Sequence, residues 1–296
     1  MSEGRGAVRV DAYLIPVVDG VAYGLLLAIA AAGLTVAFGA GGVLNLAHGT
    51  LIAAGGYIAA ATSSGTWPSL AAAVALAAIA GAAGGGVLAA ATAGLRGRGH
   101  LDQALLTFGV ALIGGDLLTT VYGPDTLRPR LPATLEGTVE AAGHRYPVDR
   151  LAVLVIAVLV VAAGYVVLHR TRAGRLIRAT VDDRAMVAGI GVNPRLVDAA
   201  VLMCAGALAG LAGALSTPIL GVGPGTADTA LLLSLIIVVC GGLGSVPGAL
   251  AAALAVGVVQ TLGVTSFPQL APYLLVGAMT VVLLVRRRSL PGQAAA

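Results

Sequence analysis

Apolar runs of membrane-crossing length follow one another along most of the chain, separated by short polar breaks. A helix needs about 20 apolar residues to cross a bilayer. Gly20 to Ala40 is the first such run and Val43 to Thr62 the second, and no Asp, Glu or Arg occurs between Gly20 and Leu95. Ser63 to Pro68 reads as a turn. The third run, Ser69 to Leu95, is ended by Arg96, Arg98 and His100, and Leu101 to Val121 is the fourth. Tyr122 to Arg150 is the longest polar connection, with Pro124, Pro129, Pro132, Pro147 and balanced charges. It predicts an extracytoplasmic loop over 122–150, with a hairpin around Thr138 to Tyr146. Leu151 to Leu168 is the fifth run, and a basic loop over 169–197 separates it from the sixth, Asp198 to Leu220. Thr226 to Val239 is short and is interrupted by GGLGSVPG before Ala249 to Leu262 resumes; Pro272 to Val285 is last. The pattern predicts an all-α integral membrane protein. It is a polytopic bundle of about eight to nine transmembrane segments with Gly-broken helices, forming one domain over residues 1–296.

Composition strengthens this reading. Of 296 residues, 58% are hydrophobic and 10% charged, whereas soluble domains carry about 25% charged residues. A soluble fold of this length could not cover so much apolar side chain. The chain has 43 Gly, and small residues let membrane helices approach closely. GxxxG spacings at Gly20/Gly24, Gly81/Gly85 and Gly206/Gly210 read as packing within the subunit or as chance in a Gly-rich chain. Arg5 and Arg9 precede a first apolar run with no convincing cleavage site, so that run is expected to be retained.

The charges set expected sidedness. Arg96/Arg98, the central loop and Arg286 to Arg288 are basic clusters, and such clusters face the cytoplasm. Counting back from Arg96 puts the amino terminus outside, although Arg5 and Arg9 would prefer the inside. The placement expected is multi-pass in the plasma (inner) membrane. The net charge of +4 points to anionic lipid rather than nucleic acid. All 17 basic residues are Arg. A phosphate-binding P-loop needs its Lys, so a Walker ATPase cannot lie in this chain, and any ATP would be bound by another polypeptide.

Few residues carry candidate chemistry. Asn45 and His48 share a helix face in an otherwise uncharged region, next to Gly49. Polar groups at membrane depth face a cavity or form interhelical hydrogen bonds. The first alternative makes Asn45, His48 and Gly49 part of a translocation path; the second makes His48 a tie between helices. Asp116 is an acidic residue inside the fourth run and reads as a proton or cation site or as a hydrated group near a helix end. No catalytic residues and no metal site are expected, since His48 has no ligand set or paired nucleophile nearby. Cys204 and Cys240 read as small packing residues. In the central loop, Asp182 to Gly189 is helix-compatible before Gly191 and Asn193-Pro194 break it. It reads as a short helix for a groove on a partner, or as a solvated basic loop on lipid headgroups. Two Gly-rich breaks, in Phe38 to Tyr57 and Val239 to Gly257, echo each other. Such pairs point to a transport pathway, and chance is the plainer account.

Four stretches carry a family resemblance. GLTVAFGAGGVLNLAHGTLIAAGGYIAA holds Asn45, Ala47, His48 and Gly49 in an N-hydrophobic-A-H-G signature. LLTFGVALIGGDL precedes Tyr122-Gly123-Pro124-Asp125. GRLIRATVDDRAMVAGIGVNPRLV places Arg178, Ala179, Asp182, Asp183, Gly191 and Val192. ALAGLAGAL and GGLGSVPGAL follow, the latter with Gly241, Gly242, Gly244, Pro247 and Gly248 as a structural break. Together these resemble the permease subunits of ABC-type branched-chain amino-acid importers, the LivH-type family, over nearly the whole chain. Asp116 stands where the family commonly has an uncharged amide, and Val187 replaces a usual small residue. The resemblance implies a permease for branched-chain or other hydrophobic amino acids, delivered by an extracytoplasmic binding protein. It also implies a second, homologous or identical permease subunit and two ATPase subunits that carry ATP and Mg. The ATPases would receive the short helix within Arg178 to Val192. This chain itself would hold no cofactor and would not be an enzyme. The competing reading from the residues alone is an ion-coupled secondary transporter or channel for a small neutral solute, using Asp116 or His48.

Overall fold

The computed structural model describes residues 4–41, 44–95, 100–141, 144–242, 244–266 and 268–270, with single positions at Tyr273, Gly277 and Thr280. The predicted run Pro272 to Val285, the basic tail Arg286 to Arg288, and Arg96 and Arg98 lie outside the described residues apart from those single positions. The helices are α1 (Gly4–Gly41), α2 (His48–Thr62), α3 (Trp67–Ala93), α4 (His100–Tyr122), α5 (Val148–Arg170), α6 (Arg172–Asp182), α7 (Arg184–Gly189), α8 (Pro194–Leu220), α9 (Thr226–Gly241) and α10 (Val246–Ser266). A two-stranded antiparallel hairpin, β1 (Thr138–Ala141) and β2 (His144–Pro147), stands before α5 and pairs Thr138 with Pro147 and Val139 with Tyr146.

Six of the described helices, α1, α3, α4, α5, α8 and α10, are long and apolar enough to cross a membrane. The chain is therefore a polytopic membrane protein. With 15 and 16 residues, α2 and α9 are shorter; at 1.5 Å per residue each covers roughly 23 Å of a hydrocarbon core about 30 Å thick. The run expected to start at Val43 becomes helical only at His48. Asn45 is the cause: its side-chain oxygen accepts from Ala47 N at 3.1 Å, offering the backbone a turn in place of a helix.

Small residues decide the packing. A Cβ at Gly81 or Gly85 would collide with the backbone of Gly206 and Leu202 on α8, so α3 and α8 touch main chain to main chain. A Cβ at Gly20 would lie 2.7 Å from Val258 Cα, which sets α1 against α10 in the same way. All three GxxxG pairs are thus occupied within the subunit. Around α1 the contacts are aliphatic: Leu25, Leu26 and Ile29 pack with Val153, Ala209 and Leu215, and Leu27, Leu34, Ile237 and Ala253 form a neighbouring cluster.

One end of the bundle is tied by polar contacts. Thr66 and Ser69 form a reciprocal capping box at the start of α3, satisfying two donors that a helix start leaves free. The Ser63 hydroxyl donates to Arg130 O at 2.6 Å, and Leu127 and Val222 exchange backbone hydrogen bonds of 2.7 and 2.9 Å. The hairpin is anchored to α1: the Tyr146 hydroxyl donates to Asp19 Oδ1 at 2.6 Å and Arg150 Nη1 to Asp19 Oδ2 at 2.5 Å. Burial, together with the bonded Asp19 carboxylate, pushes the Tyr146 phenol above its ordinary value. From this end α5 runs its full length to the opposite end, where α6 and α7 lie.

Candidate functional site

A cavity of about 300 Å³ opens where α2, α4 and the start of α9 meet. Its walls include Ala53 and Tyr57 of α2, Asp116 and Thr119 of α4, and Gly225 and Asp228 at the head of α9. Each wall is held by identifiable contacts. Thr107 of α4 donates to Leu44 O at 3.0 Å and accepts from Leu46 N at 3.1 Å, and the Thr50 hydroxyl reaches Ala111 O at 3.3 Å. These bonds fix α4 along the turn before α2 and its first residues. On the other side, a Cβ at Gly49 would run into Ala227 O and approach Leu231 Cβ to 2.8 Å. The close approach of α2 and α9 therefore requires glycine there. Gly221 and Gly225 hold positive φ (76° and 84°), which lets the chain leave α8 and start α9 within a few residues.

Polarity in the cavity is unusual for a membrane chain. Tyr57 is 2% exposed and stacks on Tyr122 with ring centroids 4.7 Å apart, yet its hydroxyl has no hydrogen-bond partner among the described residues. Asp116 and Asp228 are both exposed in the single chain. Among the described residues neither enters an ion pair. The head of α9 is capped by Gly225, which has no side chain to bond the first turn. Its free N–H groups and positive dipole end lie at the same cavity. A carboxylate at membrane depth is expensive against lipid and faces a bundle interior or a water-filled space.

The candidates from the sequence are divided between this cavity and the start of α2. Asn45, His48 and Gly49 sit at the start of α2 and do not line this cavity. His48 is fully buried, and its Nε2–H donates to Ala30 O of α1 at 2.8 Å. Asn45 is buried in its own turn. Asp116, singled out as an acidic residue at membrane depth, is on the cavity wall and is joined by Tyr57, Thr119 and Asp228. Asp228 was legible as a second carboxylate near the start of an apolar run, three residues after Gly223-Pro224-Gly225. Tyr57 carried no such signal.

The basic loop forms two helices rather than one. Thr171 caps α6, accepting from Gly174 N at 3.2 Å, and Arg178 donates to Leu168 O at the end of α5. Asp183 ends α6 and caps α7, its Oδ1 accepting from Met186 N at 2.8 Å. Val187 is fully buried while Met186 and Ile190 are 53% and 69% exposed, so α7 seats one side and leaves an apolar side open. Gly191 turns with φ 86° and Asn193 caps α8. Ala179 and Asp182 belong to α6; the side chain of Asp182 lies outside the described residues. In the second Gly-rich stretch α9 ends at Gly241, Gly242 and Gly244 take positive φ, and Pro247 and Gly248 enter the first turn of α10. A Cβ at Gly39 would lie 2.8 Å from Gly244 Cα, so the two Gly-rich stretches meet there. Among the described residues Cys204 and Cys240 form no disulfide. Among the described residues, no His, Cys, Asp and Glu side chains gather as a metal-binding group.

Comparison with known proteins places this architecture. The chain is 28% identical over 297 residues to the high-affinity branched-chain amino acid transport system permease protein BraD of Pseudomonas aeruginosa, covering 95% of this chain and 96% of that one. It is 27% identical over 263 residues to the permease protein LivH of Salmonella typhimurium, covering 84% and 85% of the two chains. The LivH protein of Escherichia coli K12 gives the same figures. No solved structure matches the chain. The model of the family described as branched-chain amino acid transport system / permease component matches residues 17–284. With nearly its whole length matched, the chain belongs to that permease family.

Proposed function

We propose that this chain is the transmembrane permease subunit of an ATP-driven importer for branched-chain or other hydrophobic amino acids. In this reading the cavity between α2, α4 and α9 is a stretch of the translocation path. The observation that carries it is the pair of exposed carboxylates, Asp116 and Asp228, on the walls of one cavity, Asp116 within a helix long and apolar enough to cross a membrane. Against lipid they would be costly; against a water-filled path shared with a second permease subunit they are hydrated. An extracytoplasmic binding protein delivers the solute, and two ATPase subunits supply ATP and Mg. The chain itself hydrolyses nothing.

The basic segment containing α6 and α7 faces the cytoplasm and the hairpin faces outside, in accord with the charge bias. Asp19 is bonded to the hairpin, so α1 starts outside. With α2 and α9 each completing a crossing through the non-helical residues before them, and the run over 272–285 counted, the chain crosses nine times as a single domain. Arg178, Ala179, Asp182, Asp183, Gly191 and Val192 shape the surface that receives the ATPase. Met186 and Ile190 offer an apolar contact to it. The Gly241 to Gly248 stretch is the break between α9 and α10. His48 ties α2 to α1, and the path runs past Tyr57 instead.

The test is purification of the tagged chain in mild detergent from its native membrane, with mass spectrometry of what accompanies it, then uptake in proteoliposomes. A stoichiometric Walker-type ATPase and leucine uptake that needs ATP and the binding protein is the expected result. A chain that purifies alone and transports on an ion gradient without ATP would overturn the reading in favour of an ion-coupled transporter.

A further inference from the structure

We infer that the segment from Gly123 to Leu131 is a strap over the outer end of the cavity between α2, α4 and α9. It clamps a plug made of Tyr57, Tyr122, Leu127 and Val222, and it must release for solute to enter. The inference rests on the reading of the cavity as a stretch of the translocation path.

The plug continues the cavity walls toward the outside. On α4 the wall runs from Ala111 to Thr119, and the helix ends at Tyr122. Val222 directly precedes the wall residues Gly223 to Gly225. Ala53, Tyr57 and Val222 form one buried cluster, and Leu118, Tyr122 and Leu127 pack against it. The Tyr57 and Tyr122 rings stack with their planes 13° apart. Residues from all three walls therefore meet in apolar contact at this end. The strap holds them by few bonds. Leu127 and Val222 exchange backbone hydrogen bonds of 2.7 and 2.9 Å, and Arg130 O accepts from the Ser63 hydroxyl at 2.6 Å. The fit is close: a Cβ at Gly221 would lie 2.6 Å from Thr126 Cγ2, and one at Gly223 3.0 Å from Thr126 Oγ1. Pro124, Asp125, Thr126 and Arg128 are exposed. A segment with few buried contacts and exposed backbone opens at low cost. Gly123 supplies a hinge, with φ 87° and nothing within 4 Å of a Cβ built there; hinges are a few residues that absorb such a backbone change. The Tyr57 hydroxyl supplies a bias toward release. It is buried without a partner among the described residues, an unfavourable state that parting the plug relieves by admitting water.

The test locks the strap in the arrangement it already has. In the assembled complex, reconstituted in proteoliposomes, Cys204 and Cys240 are replaced by Ala, and Leu127→Cys is combined with Val222→Cys. Residues that exchange both backbone bonds across an antiparallel pair have Cα atoms about 5.5 Å apart, within disulfide range. Oxidation should bring leucine uptake down to its level without ATP, and reduction should restore it. The complex should melt no lower when oxidised, and the single-cysteine variants should not respond to oxidant. A strap that is only structural loses nothing when locked, so unchanged uptake in the oxidised pair overturns the inference and leaves the importer reading standing. A disulfide that does not form in the assembled complex overturns it too. If the pair does not assemble, Thr119→Cys on the cavity wall decides. Tyr122→Ala should speed its modification by an external, membrane-impermeant thiol reagent by roughly 3- to 10-fold, the scale of a lost stacked pair. An unchanged rate overturns the inference. That comparison is read without transport, so failure of ATP-driven leucine uptake in the unmodified complex sinks the importer reading alone.

Discussion

Asp183 offers the sharpest test of the coupling surface. It is the N-cap of α7, with Oδ1 2.8 Å from Met186 N. α7 has only six residues, and so short a helix has little stability of its own. Asp183→Ala removes the cap at a cost of about 1 kcal/mol, which is roughly a five-fold shift from helix toward coil. If the ATPase reads α7 as a helix carrying Met186 and Ile190, its apparent affinity for the permease falls by up to the same factor. Asp183→Asn keeps an acceptor at the same place and cancels the charge, so it separates capping from electrostatics. The assay is ATPase activity of the reconstituted complex, stimulated by liganded binding protein and titrated with ATPase subunit. The expected order is wild type close to Asp183→Asn, with Asp183→Ala needing several-fold more subunit. Wild-type behaviour of Asp183→Ala would refute the argument. Asn as impaired as Ala would refute capping and leave charge as the cause.

Other substitutions follow from the packing. Gly206→Leu forces side chain into the α3–α8 main-chain contact; overpacking of this kind costs about 1–3 kcal/mol, and the monodisperse peak in size-exclusion chromatography should shrink. His48→Leu removes the hydrogen bond to Ala30, worth about 1 kcal/mol, so melting of the complex should fall while the KM for uptake holds; the reverse pattern would place His48 on the path. Tyr146→Phe removes the bond to Asp19. The folded phenol titrates above its usual value of 10.0. The stability it contributes is therefore complete below that value and lost as pH rises through the higher folded one. The variant should melt lower at neutral pH and show a flatter decline in alkaline buffer, read by differential scanning fluorimetry.

The long helices were legible because an apolar run of sufficient length has few other fates. The run Ser69 to Leu95 became Trp67–Ala93, and Leu101 to Val121 became His100–Tyr122. The hairpin was legible too, from β-branched and turn residues between prolines. Which side of a helix faces what was not legible. In a soluble helix the polar side declares itself, but α2 is Ala, Gly and Ile nearly all round. The sequence left His48 open between a lining residue and a tie between helices, and its ring bonds Ala30 of α1. The basic segment hid its division into α6 and α7 because Asp182 and Asp183 are both N-cap types and no Gly or Pro marks the break, so the capping position of Asp183 is not fixed by sequence. Only the backbone geometry reveals that it ends one helix and starts the next.

The arrangement of the two short helices links the packing to the path. α2 follows a long helix, α1, after a non-helical stretch, and α9 follows α8 in the same way after Gly221 to Gly225. Their first turns meet at Gly49 and Ala227, a contact close enough to exclude a Cβ. Two helix starts brought together inside a bundle place unpaired N–H groups and two positive dipole ends in its interior. Asp228 in the first turn of α9 offsets one of these ends. Transport folds use such broken helices to set polar backbone at the depth where a solute must be held. The Gly49 contact is then more than packing: widening it would move Asp228 relative to Asp116 and Tyr57 and change the cavity itself. Gly49→Ala should therefore impair uptake by more than it lowers the melting temperature of the complex. Melting and uptake that decline together would reduce Gly49 to a packing residue.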